Sequence, residues 1–131
     1  MPRAILCAAA LALSALPASA ETVDVANGGA LFQAHCAACH GAGALGDGPM
    51  TEILSIVPAD LTQLTDPEGF PAGEIARAID GRDMIAHGGP MPVFGQILED
   101  QSAVLDARDG TPVFTSQAVV EIVRWLETVQ Q

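Results

Sequence analysis

The chain contains no lysine and no tyrosine, and its 131 residues hold one tryptophan and four phenylalanines. All five basic residues are arginines, set against sixteen carboxylates, for a formal charge of −11. Phosphate recognition needs a basic stripe, so nucleic acid is excluded as a partner class. Docking on an anionic lipid surface is disfavoured for the same reason. The shortage of aromatics bounds the core: so small a domain needs a staple. Cysteine is scarce too, with Cys7, Cys36 and Cys39 only. No internal repeat, domain linker or strand-rich region is visible.

The N-terminal apolar stretch, Ala4 to Leu16, falls short of the roughly 20 residues a spanning helix needs. It follows Arg3 and precedes Ala18-Ser19-Ala20, a small-residue cleavage site. Together these predict a secretory signal over 1–20, and one domain over 21–131 of 111 residues. The expected product is a periplasmic protein with no integral membrane segment after cleavage. Loss of Arg3 moves the charge from −11 to −12. Acidity of that size either keeps an exported protein soluble or steers it toward a basic partner. Cys7 leaves with the signal, so Cys36 and Cys39 are the cysteines that remain.

Those two open the run Cys36-Ala37-Ala38-Cys39-His40, the order of a c-type haem attachment site. Two thiols three positions apart near a helix end reach the two vinyl groups on one porphyrin edge, each forming a thioether. The histidine that follows is then placed to bind the iron from its proximal side. A zinc site would need a second Cys pair or a His-x₃₋₅-His. A thioredoxin-like site would sit in alternating strands and helices. A disulfide would leave His40 without a purpose. Covalent haem c would also supply the missing staple and aromatic volume.

Around this motif the periodicity predicts an all-α domain with long loops. A first helix is expected from Val25 to Ala38, capped by Asp24 or Asn27, with Leu31, Phe32, His35, Cys36 and Cys39 on one side. Gly41 to Pro49 is a glycine-rich loop, followed by a short helical turn within Met50 to Ile56. A helix from Ala72 to Asp80 is ended by Gly81. The acidic stretch from Glu99 to Gly110 reads as an insertion. The last helix runs from Gln117 to Val129, capped by Thr115 or Ser116, with Val119, Ile122, Leu126 and Val129 as its apolar stripe.

An iron held by His40 has a second open face. His35 precedes the cysteines on the same helix, and Met50 follows them too closely, so neither suits it. Met84, His87 and Met91 lie in the right loop. Pro90 and Pro92 flank Met91 and fix its backbone, which favours Met91 as the sixth ligand over the others.

With these residues in hand, the chain resembles the class I c-type cytochromes, the bacterial relatives of mitochondrial cytochrome c. The match runs through Gly28…Phe32…Cys36-Ala-Ala-Cys-His40-Gly41, Gly46-Asp47-Gly48-Pro49 and Pro58-Ala-Asp-Leu-Thr62. It continues in Met91-Pro92-Val93-Phe94-Gly95 and Ile122-Val123-Arg124-Trp125-Leu126. The resemblance implies a small helical domain wrapped around one covalent haem c, with Cys36, Cys39, His40 and Met91 as the cofactor-binding residues. It implies that the first and last helices cross, Gly28 and Phe32 meeting Ile122, Trp125 and Leu126. It further implies that a proline carbonyl, of Pro49 or Pro58, accepts the proximal histidine's other N–H. The expected role is single-electron transfer between redox partner proteins, not enzymatic catalysis. Alternatives are a haem subunit of a periplasmic dehydrogenase or oxidase, or a haem enzyme with a labile sixth ligand. The family's respiratory members often carry a lysine ring absent from this chain, and the segment 99–116 is longer than their usual turn.

Overall fold

A computed structural model describes residues 22–82 and 91–131. The expected signal segment, Met84 and His87 lie outside the described residues. Among the described residues, four helices and one hairpin follow in the order α1 (Val25–His35), α2 (Ala37–His40), α3 (Ala72–Asp80), β1 (Ser102–Asp106), β2 (Pro112–Ser116) and α4 (Gln117–Thr128). A 3₁₀ turn spans Pro49–Glu52 between α2 and α3.

Asp24 caps α1, its side chain accepting the Asn27 N–H at 3.0 Å. The single helix expected over 25–38 is broken at Cys36, whose φ of −115° departs from helical geometry. The Cys36 N–H still reaches the Phe32 carbonyl at 2.8 Å, so α2 continues the path of the chain with a bend. Gly41, at φ 78°, then stops it.

The core forms where α1 lies against α4. Phe32, Val119, Ile122 and Val123 are fully buried, and Leu126 nearly so. Removing each such side chain from water stabilises the fold by about 1.5–3 kcal/mol. The Phe32 and Trp125 rings sit 4.5 Å apart, tilted by 32°. Gly28 explains the close approach: a Cβ there would overlap the Glu121 carbonyl and lie 3.0 Å from Ile122 N. Glu121 is itself buried in this seam, where its carboxylate accepts from Asn27 Nδ2 at 2.6 Å and from Gln117 Nε2 at 3.3 Å. Ser116, not Thr115, caps α4, accepting from the Val119 N–H at 3.3 Å.

The all-α expectation needs one correction. β1 lies in the stretch read as an insertion and β2 just beyond it; the two pair antiparallel, Leu105 facing Val113 and Val104 facing Phe114. The cause is local. Asp109-Gly110 is a hairpin turn sequence, Gly110 takes φ 79°, and the Asp109 carboxylate accepts the Thr111 N–H at 2.9 Å. Alternation does the rest: Leu105, Val113 and Thr115 point inward, while Val104 and Phe114 face solvent. The inner face rests on α3 and α4. At Gly73 a side chain would strike the Ala107 backbone at 2.6 Å, so α3 and the hairpin touch main chain to main chain. Arg108 bolts the hairpin tip down, donating to both Asp66 carboxylate oxygens at 2.7 and 2.9 Å and to the Gly69 carbonyl.

Candidate functional site

A cavity of about 380 Å³ opens beside α2. The helical side contributes His35, Cys36, Cys39 and His40; a loop contributes Leu54, Ile56, Val57, Pro58 and Ala59; Met91, Pro92 and Phe94 close it. Among the described residues, no carboxylate or guanidinium lines it. Those residues make an apolar slot with two thiols, two imidazoles and one thioether as its polarisable groups.

The loop from 41 to 62 is folded onto α2 by the backbone. Gly46 N–H donates to the His40 carbonyl at 2.8 Å, and Gly48 N–H to the Cys39 carbonyl at 3.1 Å. A Cβ on Gly48 would lie 2.5 Å from the Ala38 carbonyl oxygen, so only glycine lets the loop cross α2 here. Leu61 N–H donates to the Ala44 carbonyl at 2.7 Å, and Asp60 accepts from both Thr62 N–H and its hydroxyl at 2.8 and 2.6 Å. Gln130 then pins the far end, accepting from Leu64 N–H and donating to the Leu61 carbonyl, both at 2.8 Å.

That folding presents the Ala59 carbonyl to His40 Nδ1 at 3.0 Å. A carbonyl only accepts, so Nδ1 carries the proton and the Nε2 lone pair is left to bind a ligand. The acceptor differs from both expected residues. Pro58 is displaced from the role because its carbonyl faces Gly46, where a Cβ would come within 2.5 Å. Pro49 begins the 3₁₀ turn and is not His40's partner.

Cys36 and Cys39 are free thiols, the first buried and the second half-buried. Burial, aided by the neighbouring Cys39, pushes the Cys36 thiol up to about 11. Among the described residues, no three His, Cys, Asp or Glu side chains come together to hold a metal ion. A thioether needs no thiolate once formed, so an apolar setting suits it.

Of the sixth-ligand candidates among the described residues, Met91 lines the cavity and Met50 does not. Met50 sits in the 3₁₀ turn and is exposed. His35 also reaches the cavity, its ring 6.5 Å from Phe94 in an edge contact. Reading the sequence missed Leu54, Ile56, Val57, Ala59 and Phe94 as lining residues. Their signal was the apolar run from Ile53 to Val57, stranded in a loop where Ile56 is 55 % and Val57 78 % exposed.

The donor set and the lining fit a flat apolar macrocycle bound through sulfur at one edge, with an imidazole nitrogen for its metal. Among the described residues no helix is long and apolar enough to cross a membrane. Neither the curated proteins nor the solved structures yield a match to this chain. The family model for cytochrome c matches residues 25–130. On that match, which spans the cavity and every element around it, the chain belongs to the cytochrome c family, whose domain carries covalently attached haem c and serves haem-based electron transfer.

Proposed function

We propose that this protein is an exported, periplasmic carrier of single electrons, its haem c held by thioethers from Cys36 and Cys39 and by His40 and Met91 as axial ligands. The observation that carries the reading is the shared cavity: Met91 and His40 line the same apolar slot as the two thiols. Haem c supplies one-electron exchange between ferric and ferrous iron. The chain's own residues do the rest. The Ala59 carbonyl orients the His40 ring and raises its donor strength. Pro92 stiffens the backbone beside Met91, and the uncharged walls formed by Leu54, Ile56 and Phe94 exclude water. A thioether ligand favours the ferrous state relative to a second imidazole, and an occupied sixth position keeps substrates away from the metal.

Redox proteins are the partners this arrangement fits. Ile53, next to the lining residue Leu54 but outside the cavity, is 75 % exposed, an apolar contact point in a chain that is strongly acidic as a whole. A partner face with an apolar centre and a basic rim complements both. The test of the ligand set is spectroscopic. Met91→Ala should abolish the weak sulfur-to-iron charge-transfer absorption of the ferric protein and lower its reduction potential, while Met84→Ala leaves the band in place. The reversed outcome would move the ligand to Met84.

A second reading, the haem subunit of a larger periplasmic dehydrogenase or oxidase, is favoured by the hairpin. Its outer face carries Val104 and Phe114 side by side, 52 % and 75 % exposed. Co-purification with a larger protein, lost on Phe114→Ser, would establish it.

A further inference from the structure

We propose that Asp80, clamped between Arg82 and the hairpin, is the positioning residue that holds Met91 at the cavity. The inference rests on Met91 being the sixth ligand and adds what keeps it there.

Asp80 ends α3 and is only 6 % exposed. Its carboxylate accepts from Arg82 Nε and Nη2, both at 2.7 Å, and from the Thr115 hydroxyl of β2 at 2.9 Å. The Arg82 N–H adds a longer contact at 3.3 Å. Arg82 is the main reason the carboxyl stays below the usual carboxylate range, with Thr115 contributing. The main chain of the same corner holds the residues after Met91. Gly95 N–H donates to the Asp80 carbonyl at 2.8 Å, and Phe94 N–H to the Ile79 carbonyl at 3.2 Å.

Gly95 locks the two layers together. A Cβ there would lie 2.5 Å from Asp80 Oδ1 and 2.7 Å from Arg82 Nε, so the ion pair packs on the bare α-carbon. Phe94, next in the chain, is both anchored at this corner and part of the cavity wall. Met91 stands three residues before Phe94, a tether of at most about 10 Å. Where the Asp80 corner sits, the thioether must follow.

As plain stability the pair adds little, because the Arg82 side chain is 42 % exposed and water screens its charge. What a bidentate guanidinium–carboxylate pair gives is fixed direction and distance. The hairpin also finds a use here. Carrying an electron does not require it, yet its Thr115 supplies the third donor that stops the carboxylate from rotating away.

The experiment uses the full haem-loaded protein and cyanide as the probe, since cyanide gains the ferric iron only when the sixth ligand lets go. Asp80→Asn should raise cyanide affinity about tenfold, equivalent to about 1.4 kcal/mol. Thr115→Val should raise it by a smaller factor, and it serves as the deciding variant if Asp80→Asn fails to fold. Glu121→Gln, an equally buried carboxylate in the α1–α4 seam, should lower the melting temperature and leave cyanide affinity unchanged. Amide hydrogen exchange at Gly95 should speed up in the first two variants and not in the third. Wild-type cyanide affinity in Asp80→Asn and Thr115→Val, or an equal rise in Glu121→Gln, would overturn the proposal. A failure of the ligand reading shows separately, as a charge-transfer band that survives Met91→Ala. In that case faster exchange at Gly95 would establish the clamp but not its hold on a ligand.

Discussion

Replacing Gly28 by alanine sets two known effects against each other in one position. Within a helix alanine is favoured over glycine by about 1 kcal/mol. Against that, the new Cβ would overlap the Glu121 carbonyl and approach Ile122 N to 3.0 Å. Both are main-chain atoms of a buried helix, with no rotamer into which they can retreat. Overpacking costs about 1–3 kcal/mol in general, and a rigid partner puts this case at the upper end. The net loss is then about 2 kcal/mol, or a melting temperature lower by about 8 °C for a domain of this size. Gly29 is the internal control. A Cβ there meets the Trp125 side chain, 2.8 Å from Nε1 and 2.9 Å from Cδ1. That ring is half-buried and can swing, so the helix gain offsets the contact and Gly29→Ala should melt within about 2 °C of wild type. Thermal unfolding of the haem-loaded proteins, followed by far-ultraviolet circular dichroism at one pH and salt, reads the difference. Gly28→Ala melting with wild type, or Gly29→Ala losing more, would refute the close-packed crossing.

Two further outcomes are expected. Electron transfer with the physiological donor should slow as salt rises if the acidic charge steers encounter, and stay flat if the apolar rim alone governs docking; ionic-strength dependence of the rate decides this. Asp66 is held below the usual carboxylate range chiefly by Arg108, so its contribution is present at neutral pH and lost as pH falls through its lowered folded-state value. Arg108→Ala should therefore let Asp66 titrate nearer the ordinary range, seen by NMR, and should flatten the loss of stability on acidification.

Helix ends with a chemical cause were legible in the sequence. The α3 bounds, Ala72 to Asp80 with Gly81 beyond, match the structure, because a left-handed glycine stop is a local event. So do the Asp24 and Ser116 caps, each one of two residues offered. The Gly28, Ile122 and Trp125 contacts also follow the family pattern. The hairpin was not read, although Asp109-Gly110 announces a turn. Five-residue strands carry only two or three inward positions each, and exposed Phe114 and Val104 blur the alternation. The Ala59 partner of His40 was missed for a different reason. Which carbonyl faces an imidazole depends on how a whole loop crosses α2, and that is set by Gly46 and Gly48 contacts far apart in sequence from Ala59. At the cavity, the Cys and His residues announced themselves by spacing, whereas the walls are ordinary apolar side chains identified only by where the chain puts them.

The pairing of α1 with α4 has a consequence for the order of events in time. α4 leaves the ribosome long after α1, and until it arrives Phe32 has nothing to lie against. Eleven residues do not hold a helix by themselves in water. During that interval the stretch carrying Cys36 and Cys39 is open chain, with both sulfurs reachable. Were the chain to fold before attachment, Cys36 would be only 7 % exposed and its thiol hard to ionise. A cofactor offered early meets two accessible nucleophiles; one offered late must wait for the fold to reopen. Such contacts between distant parts of a chain also form slowly, which widens the interval in which the attachment chemistry can run.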